Sequence, residues 1–396
     1  MPGVVASRIL IGTVLILMIQ GCGIMRLDTQ FRVDPTLESN VLQRDQRQVP
    51  DVQPLALNQA MLDYLDQHVE SGLSNWRKVQ RLQTLLFDEE FLNIQYDETA
   101  TYTAIETFDA GYANCLSLVN LYIAMARHLG LDASYQTVQV QPRWNRRGEL
   151  VVLSEHINAL GRISGSGRYI VDFTPEVRLQ QETARVVSDE HALALYFNNL
   201  GVEYLVNDDT ERAVEYLQYA VLTNPNLSIG WNNLGSAWNS AGEQEYAEYS
   251  YRKAYSLDRH NTTAINNLAR HYAIIGDDDR AARFRRVLDR VHDANPYYHY
   301  VQGNVAFEQG EYAAARRHFR NALRRQGNEP DFYFALGLTY EQLGREQEAE
   351  HFRMAYLALS QHGDPSYIPG RQRVRLIEDN RSILRRTDAG FTVSFQ

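Results

Sequence analysis

From Ala194 onward the chain repeats itself every 34 residues, and no other feature limits its possible folds so tightly. Leu200-Gly201 recurs as Leu234-Gly235, Leu268-Ala269, Gln302-Gly303 and Leu336-Gly337, each step being 34 residues. Three positions after the small residue stand Tyr204, Trp238, Tyr272 and Tyr340, with Ala306 as the exception. Twelve positions after it stand Ala213, Ala247, Ala281, Ala315 and Ala349. A strict period of this length marks one supersecondary unit copied five times, each copy unable to bury its apolar face alone. Small residues let paired helices approach, and the aromatics are expected to fill the space between copies.

The pattern resembles the tetratricopeptide repeat, a pair of antiparallel helices that stacks into a superhelix. The resemblance covers residues 194–363, after a linker at 181–193. It implies that the first helix of each pair lines a concave groove. Asn198-Asn199, Asn232-Asn233 and Asn266-Asn267 recur there at the repeat spacing. Stacked asparagines of this kind can grip the backbone of an extended peptide, while the second of each pair equally suits a local role inside the repeat. A protein or peptide is therefore the expected partner. The tail, 364–396, is polar and basic, with Arg371, Arg373, Arg375, Arg381, Arg385 and Arg386, and reads as a capping helix with a frayed end.

The opposite end carries an export pattern. Arg8 precedes an apolar run from Ile9 to Ile19, which is shorter than the about 20 residues a bilayer span needs and suits a signal peptide. Ile19-Gln20-Gly21-Cys22 resembles the lipobox of bacterial lipoproteins. The resemblance implies cleavage of residues 1–22 before Cys22, lipidation of that cysteine and anchoring to an envelope membrane. Gly23 at the next position favours the outer membrane, facing the periplasm. Residues 23–55 are polar and irregular and read as a tether. The formal net charge of −10 disfavours general nucleic-acid binding, which needs a basic face.

Between tether and repeats, residues 56–180 change character midway. Leu57, Met61, Tyr64 and Leu65 share one helical face, and Val79, Leu82, Leu85 and Leu86 another. A third helix runs from Leu116 to Leu129 and stops at Gly130. Ser134 to Val140, Leu150 to Leu160 and Tyr169 to Phe173 then read as strands, the last two joined by the turn Ser164-Gly165-Ser166-Gly167. Helices followed by antiparallel strands make an α+β domain.

Cys115 opens that third helix. With Cys22 lipidated, it is the single remaining thiol in a compartment that ordinarily pairs cysteines, which points to reactivity. Asn114 is a good N-cap, so the helix dipole and unpaired N–H groups favour the thiolate. A base must come from elsewhere. His128 is 13 residues along the same helix, about 20 Å away. His68 lies among charged residues without an orienting neighbour. His156 shares a strand face with Ser154 and Asn158, and Asp172 is one strand over, able to orient the imidazole.

Glu106-Thr107-Phe108, Gly111, Asn114-Cys115-Leu116-Ser117, Ala126-Arg127, Leu129-Gly130-Leu131, His156 and Val171-Asp172-Phe173 together resemble the transglutaminase-like superfamily. By that resemblance Cys115 is nucleophile, His156 general base and acid, and Asp172 the orienting carboxylate. Ala113 and Val171 depart from the family pattern without removing a reactive group. The whole chain is thus expected to be an α+β transglutaminase-like domain followed by an all-α tetratricopeptide-repeat superhelix. The implied activity is acyl transfer through a cysteine acyl-enzyme, of peptidase, amidase or transglutaminase type, with hydrolysis the commoner outcome. Trp144 is a candidate contact for the acyl group. No metal or cofactor is implied, and no acidic loop has a calcium-ligand pattern. The competing reading is an envelope scaffold in which the repeats assemble proteins and the α+β domain is inert.

Overall fold

The computed structural model describes residues 31–138, 143–144, 150–151, 156–163, 167–173, 184–360 and 374–378. The segment expected as a signal peptide with Cys22, residues 145–148 and 164–166 expected as turns, and most of the basic tail lie outside the described residues.

Helix α1 (Pro35–Leu42) is capped by Asp34, whose carboxylate accepts from the N–H groups of Thr36 and Leu37 at 3.0 and 3.1 Å. Helices α2 (Gln59–His68) and α3 (Asn75–Phe87) follow, each presenting its apolar stripe to one core. A short strand β1 (Gln95–Tyr96) runs parallel to β2 (Tyr112–Ala113), and α4 (Ala104–Ala110) lies between them, opened by a Thr103–Glu106 capping box. Gly111, at φ 76°, ends α4 in the left-handed conformation and turns the chain into β2. Helix α5 (Cys115–His128) is buried on all sides from Leu116 to Ala126, which makes it the central helix of this half.

Strands β3 (Ser134–Val138), β4 (Arg143–Trp144), β5 (Leu150–Val151), β6 (His156–Arg162), β7 (Gly167–Val171) and β8 (Arg185–Val187) follow. The main sheet has the order β8–β3–β6–β7–β9, antiparallel throughout, with β9 (Val374–Glu378) supplied by the far end of the chain. Tyr122 of α5 meets Tyr169 and Phe173 with ring centroids 6.5 and 6.2 Å apart, fixing helix against sheet.

Ten helices among the described residues form five hairpins. They are α6 (Asp189–Val206) with α7 (Thr210–Thr223), α8 (Ser228–Ser240) with α9 (Gln244–Leu257), and α10 (Thr262–Ile274) with α11 (Asp278–Ala294). α12 (Pro296–Glu308) pairs with α13 (Tyr312–Arg325), and α14 (Pro330–Gln342) with α15 (Glu346–Ser360). Each glycine of the repeat motif faces a side chain of its own hairpin: a Cβ on Gly235 would sit 2.6 Å from the Tyr251 ring, and one on Gly303 2.4 Å from Phe319. The turn inside the last four hairpins uses Gly242, Gly276, Gly310 and Gly344, with φ from 69° to 85°, while the first uses Asp208 at φ 61°. The buried apolar residues fall into separate clusters on either side of the α11–α12 boundary.

Four expectations need correction. The aromatics pack chiefly within hairpins rather than between them: Tyr204 meets Tyr216 at 5.1 Å and Tyr340 stacks on Phe352 at 5.4 Å. The segment expected as a tether is, from Asp34 to Leu55, a strap across both halves. Val41 and Leu42 are buried among repeat residues, Glu38 accepts from Tyr249 Oη at 2.6 Å, and Arg47 donates to Gln218 at 2.9 Å. Its polar composition conceals a two-residue apolar anchor. The segment expected as a linker supplies β8 and the start of α6, and the tail expected to fray supplies β9, because Val374, Leu376 and Ile377 interrupt its charges.

Gly235→Val should therefore lose about 1–3 kcal/mol of stability through overpacking against Tyr251. Gly337→Ala, whose new Cβ meets its nearest neighbour at 3.4 Å, should be neutral or gain up to about 1 kcal/mol in helix propensity. Urea titration of both variants followed by circular dichroism checks the contrast.

Candidate functional site

Asn114 caps α5, its Oδ1 accepting from the Ser117 N–H at 3.0 Å. That places Cys115 at the first helical position, at the edge of the buried cluster. Its sulfur lies against the N–H groups of Cys115 itself, Leu116 and Ile157, the last being the residue after His156. These donors favour the thiolate, as the helix start requires, but they do not prevail. Burial, with a smaller contribution from the Asp172 charge, pushes the thiol up to about 11.

His156 opens β6 opposite Val138 and is buried. The β6–β7 register pairs Ala159 with Val171, so Asp172 falls opposite Asn158 and diagonal to His156. The carboxylate reaches both: His156 Nε2 is 2.8 Å from Asp172 Oδ1, and Asn158 Nδ2 donates to Oδ2 at 3.4 Å. With Nε2–H donating to the carboxylate, Nδ1 is the ring nitrogen able to accept a proton. His156, Asp172 and the Cys115 sulfur are thus brought to one end of the sheet. Tyr96, which sequence spacing does not reveal, also stands near the sulfur. Burial, with a contribution from Cys115, raises its phenol to about 12. Trp144 lies on the two-residue strand β4, and its side chain is outside the described structure.

The asparagines of the repeats bond to one another. Asn198 and Asn232 are buried, each 3 % exposed. Asn233 Nδ2 donates to Asn198 Oδ1 at 2.9 Å, and Asn267 Nδ2 donates to Asn232 Oδ1 at 3.0 Å. Within pairs, Asn198 donates to Asn199 at 3.4 Å and Asn232 to Asn233 at 3.2 Å. The result is a ladder of amides linking three successive hairpins. The adjacency of the two asparagines is its cause, because the second of one repeat stands next to the first of the repeat before. Asn199, Asn233 and Asn267 are half-buried, and Asn266 is exposed beside Arg270, Ala273, Ile274 and Arg285.

The family model of the tetratricopeptide repeat matches residues 198–262 and 300–364. The C-terminal part of the chain is built of tetratricopeptide repeats. Among curated proteins, the tetratricopeptide repeat domain-containing protein PYG7, chloroplastic, of Arabidopsis thaliana is 30% identical over 86 residues, 22% of this chain and 29% of that protein. The peroxisomal targeting signal receptor of Candida glabrata is 31% identical over 94 residues, 24% of this chain and 16% of that protein. The chain thus spans less than a third of the length of these relatives. Of solved structures, MamA covers 45% of this chain and 98% of its own at 18% identity, with a TM-score of 0.25. YrrB, described as a TPR protein with an unusual peptide-binding site, covers 43% and 88% at 13% identity, with a TM-score of 0.24. No helix among the described residues is long and apolar enough to cross a membrane.

Replacing Asn232 by Ala removes one acceptor and one donor from the ladder and should destabilise the array by about 1–3 kcal/mol. Asn266→Ala, at an exposed position, should stay within about 0.5 kcal/mol of the parent. Paired urea titrations would show the difference, and equal effects would mean the ladder carries no stability.

Proposed function

We propose that this chain is a protein-interaction protein whose repeat array binds a protein or peptide partner at the bacterial envelope, held to the membrane through Cys22. The observation that carries this reading is the match of the repeat family to two blocks of the array. A relative named as receptor for a peroxisomal targeting signal is consistent with a peptide-like ligand. Of the asparagines expected to meet it, Asn266 is the exposed one, on a face of α10 that also carries Arg270 and the 64% exposed Ile274. Affinity purification from envelope extracts tests this. An Asn266→Ala, Arg270→Ala double variant should lower recovery of co-purified protein at least about tenfold, a loss of about 1.4 kcal/mol. Cys115→Ala should leave recovery unchanged, and the opposite pattern would overturn the reading.

A second reading is favoured by a separate observation, the His156–Asp172 contact beside the Cys115 sulfur. In it the N-terminal half is a transglutaminase-like acyl-transfer site. His156 Nδ1 takes the thiol proton as sulfur attacks an acyl carbon. The N–H groups of Leu116 and Ile157, which face the sulfur, would support negative charge as it develops, and the proton on His156 passes to the departing amine. Water or a second amine then releases the acyl group and restores the thiol.

This reading sets a pH dependence. Because burial and Asp172 hold the isolated thiol near 11, reactivity at neutral pH must depend on the imidazole. Labelling of Cys115 by a thiol-directed electrophile should be at least about tenfold slower in His156→Ala at neutral pH. The variant should regain rate only as pH climbs towards about 11. Equal labelling of wild type and His156→Ala at neutral pH would remove the acyl-transfer reading and leave the scaffold.

A further inference from the structure

The cap of α5 is set from the repeat array. Asn114 turns its amide so that Oδ1 accepts from the Ser117 N–H and Nδ2 donates to Thr101 Oγ1 at 2.7 Å. An amide flipped the other way would set a donor against the Ser117 N–H and leave the helix start uncapped. Glu203, on α6, removes that alternative. Its carboxylate accepts from the Thr101 hydroxyl and also from the Thr101 N–H. A threonine hydroxyl carries one proton. Once that proton is given to Glu203, Oγ1 can only accept from Asn114, and the amide must present Nδ2.

Neighbouring polar groups of the same loop and helix start pair with one another. Ala100 O accepts from the Asn114 N–H at 2.8 Å, and Ser117 Oγ accepts from the Tyr102 N–H at 2.7 Å. Thr101, Asn114 and Ser117 are all buried, so water does not substitute for a lost partner. Glu203 enters from 102 residues further along the chain, in the first helix of the repeats.

We infer that Glu203 is a positioning residue for Cys115, acting through Thr101 and Asn114 on the N–H groups that face the sulfur. The inference rests on the reading of Cys115 as a nucleophile. It gives the first repeat a role in the thiol site that is separate from partner binding.

The test is the rate of iodoacetamide alkylation in the full chain, read by mass on the Cys115 peptide across the neutral to alkaline range. Glu203→Ala and Thr101→Val should each slow the neutral-pH rate about tenfold, as expected from losing a helix cap beside the thiol. The double variant should be no slower than either single one, because the two act in one chain. Glu203→Gln keeps an acceptor oxygen and should stay within about twofold of wild type, an outcome that general destabilisation would not produce. Profiles of Glu203→Ala and Thr101→Val that superimpose on wild type overturn the inference, as does a double variant whose slowing is the product of the two. His156→Ala separates the two levels. If it matches wild type, the nucleophile reading falls and this inference with it. If it is slow while Glu203→Ala is unchanged, the positioning role alone falls.

Discussion

A stacked helical array cannot end on a bare apolar face, and the organisation of this chain follows from how the first repeat solves that problem. Helix α6 buries Ala192, Ala194, Tyr196 and Phe197 in the same cluster as α5 and the sheet. Its other side faces α7 in the ordinary manner of a repeat hairpin. The α+β half therefore caps the array, and α6 belongs to both. The bidentate Arg127–Asp189 pair, at 2.6 and 2.9 Å, pins the start of α6 to the end of α5. The strap from Asp34 to Leu55 adds a second fastening, burying Val41 and Leu42 against the first two repeats.

This shared helix bears on chemistry as well as on stability. The Cys115 thiol is held protonated by burial and by the nearby Asp172 charge, while three N–H groups pull the other way. Such a balance depends on geometry at the start of α5, where a flipped amide or a displaced turn would change it. The groups that set that geometry come from the loop at Ala100–Tyr102 and, through Thr101, from Glu203 on α6. The capping of the array and the alignment of the proposed nucleophile are thus served by the same helix.

The amide ladder shows why a repeated polar residue need not be a binding residue. Asn198 and Asn232 are buried where an unpaired amide would be costly. Their partners in the next repeat satisfy them, and the chain spends no apolar surface on that contact. The ladder ends at Asn267, because the fourth repeat carries Tyr300 and Val301 at the corresponding positions. Close to that point the buried apolar cluster also ends, at the α11–α12 boundary. Between the last two hairpins no asparagine pair recurs, and Tyr297 and Tyr300 pack on Phe332.

Much of this was legible in the amino-acid order, where the signal is local or periodic. The 34-residue period sets the five hairpins, Asn114 sets the start of α5, and strand alternation sets His156 and Asn158 on one face. Sequence could not reveal that Asn198 and Asn232 turn inward, since a period gives recurrence and not direction. Nor could it show that Val41, Val374 and Glu203 reach partners far along the chain, since Val41 and Val374 lie in stretches of polar composition and the repeat period says nothing of what Glu203 meets outside the array. By itself the sequence determined the five repeat hairpins, the helix that starts at Cys115 and which residue types recur. Only the tertiary structure decided that a repeat helix completes the α+β core and orients the cap beside Cys115, because those contacts join residues that share no local pattern.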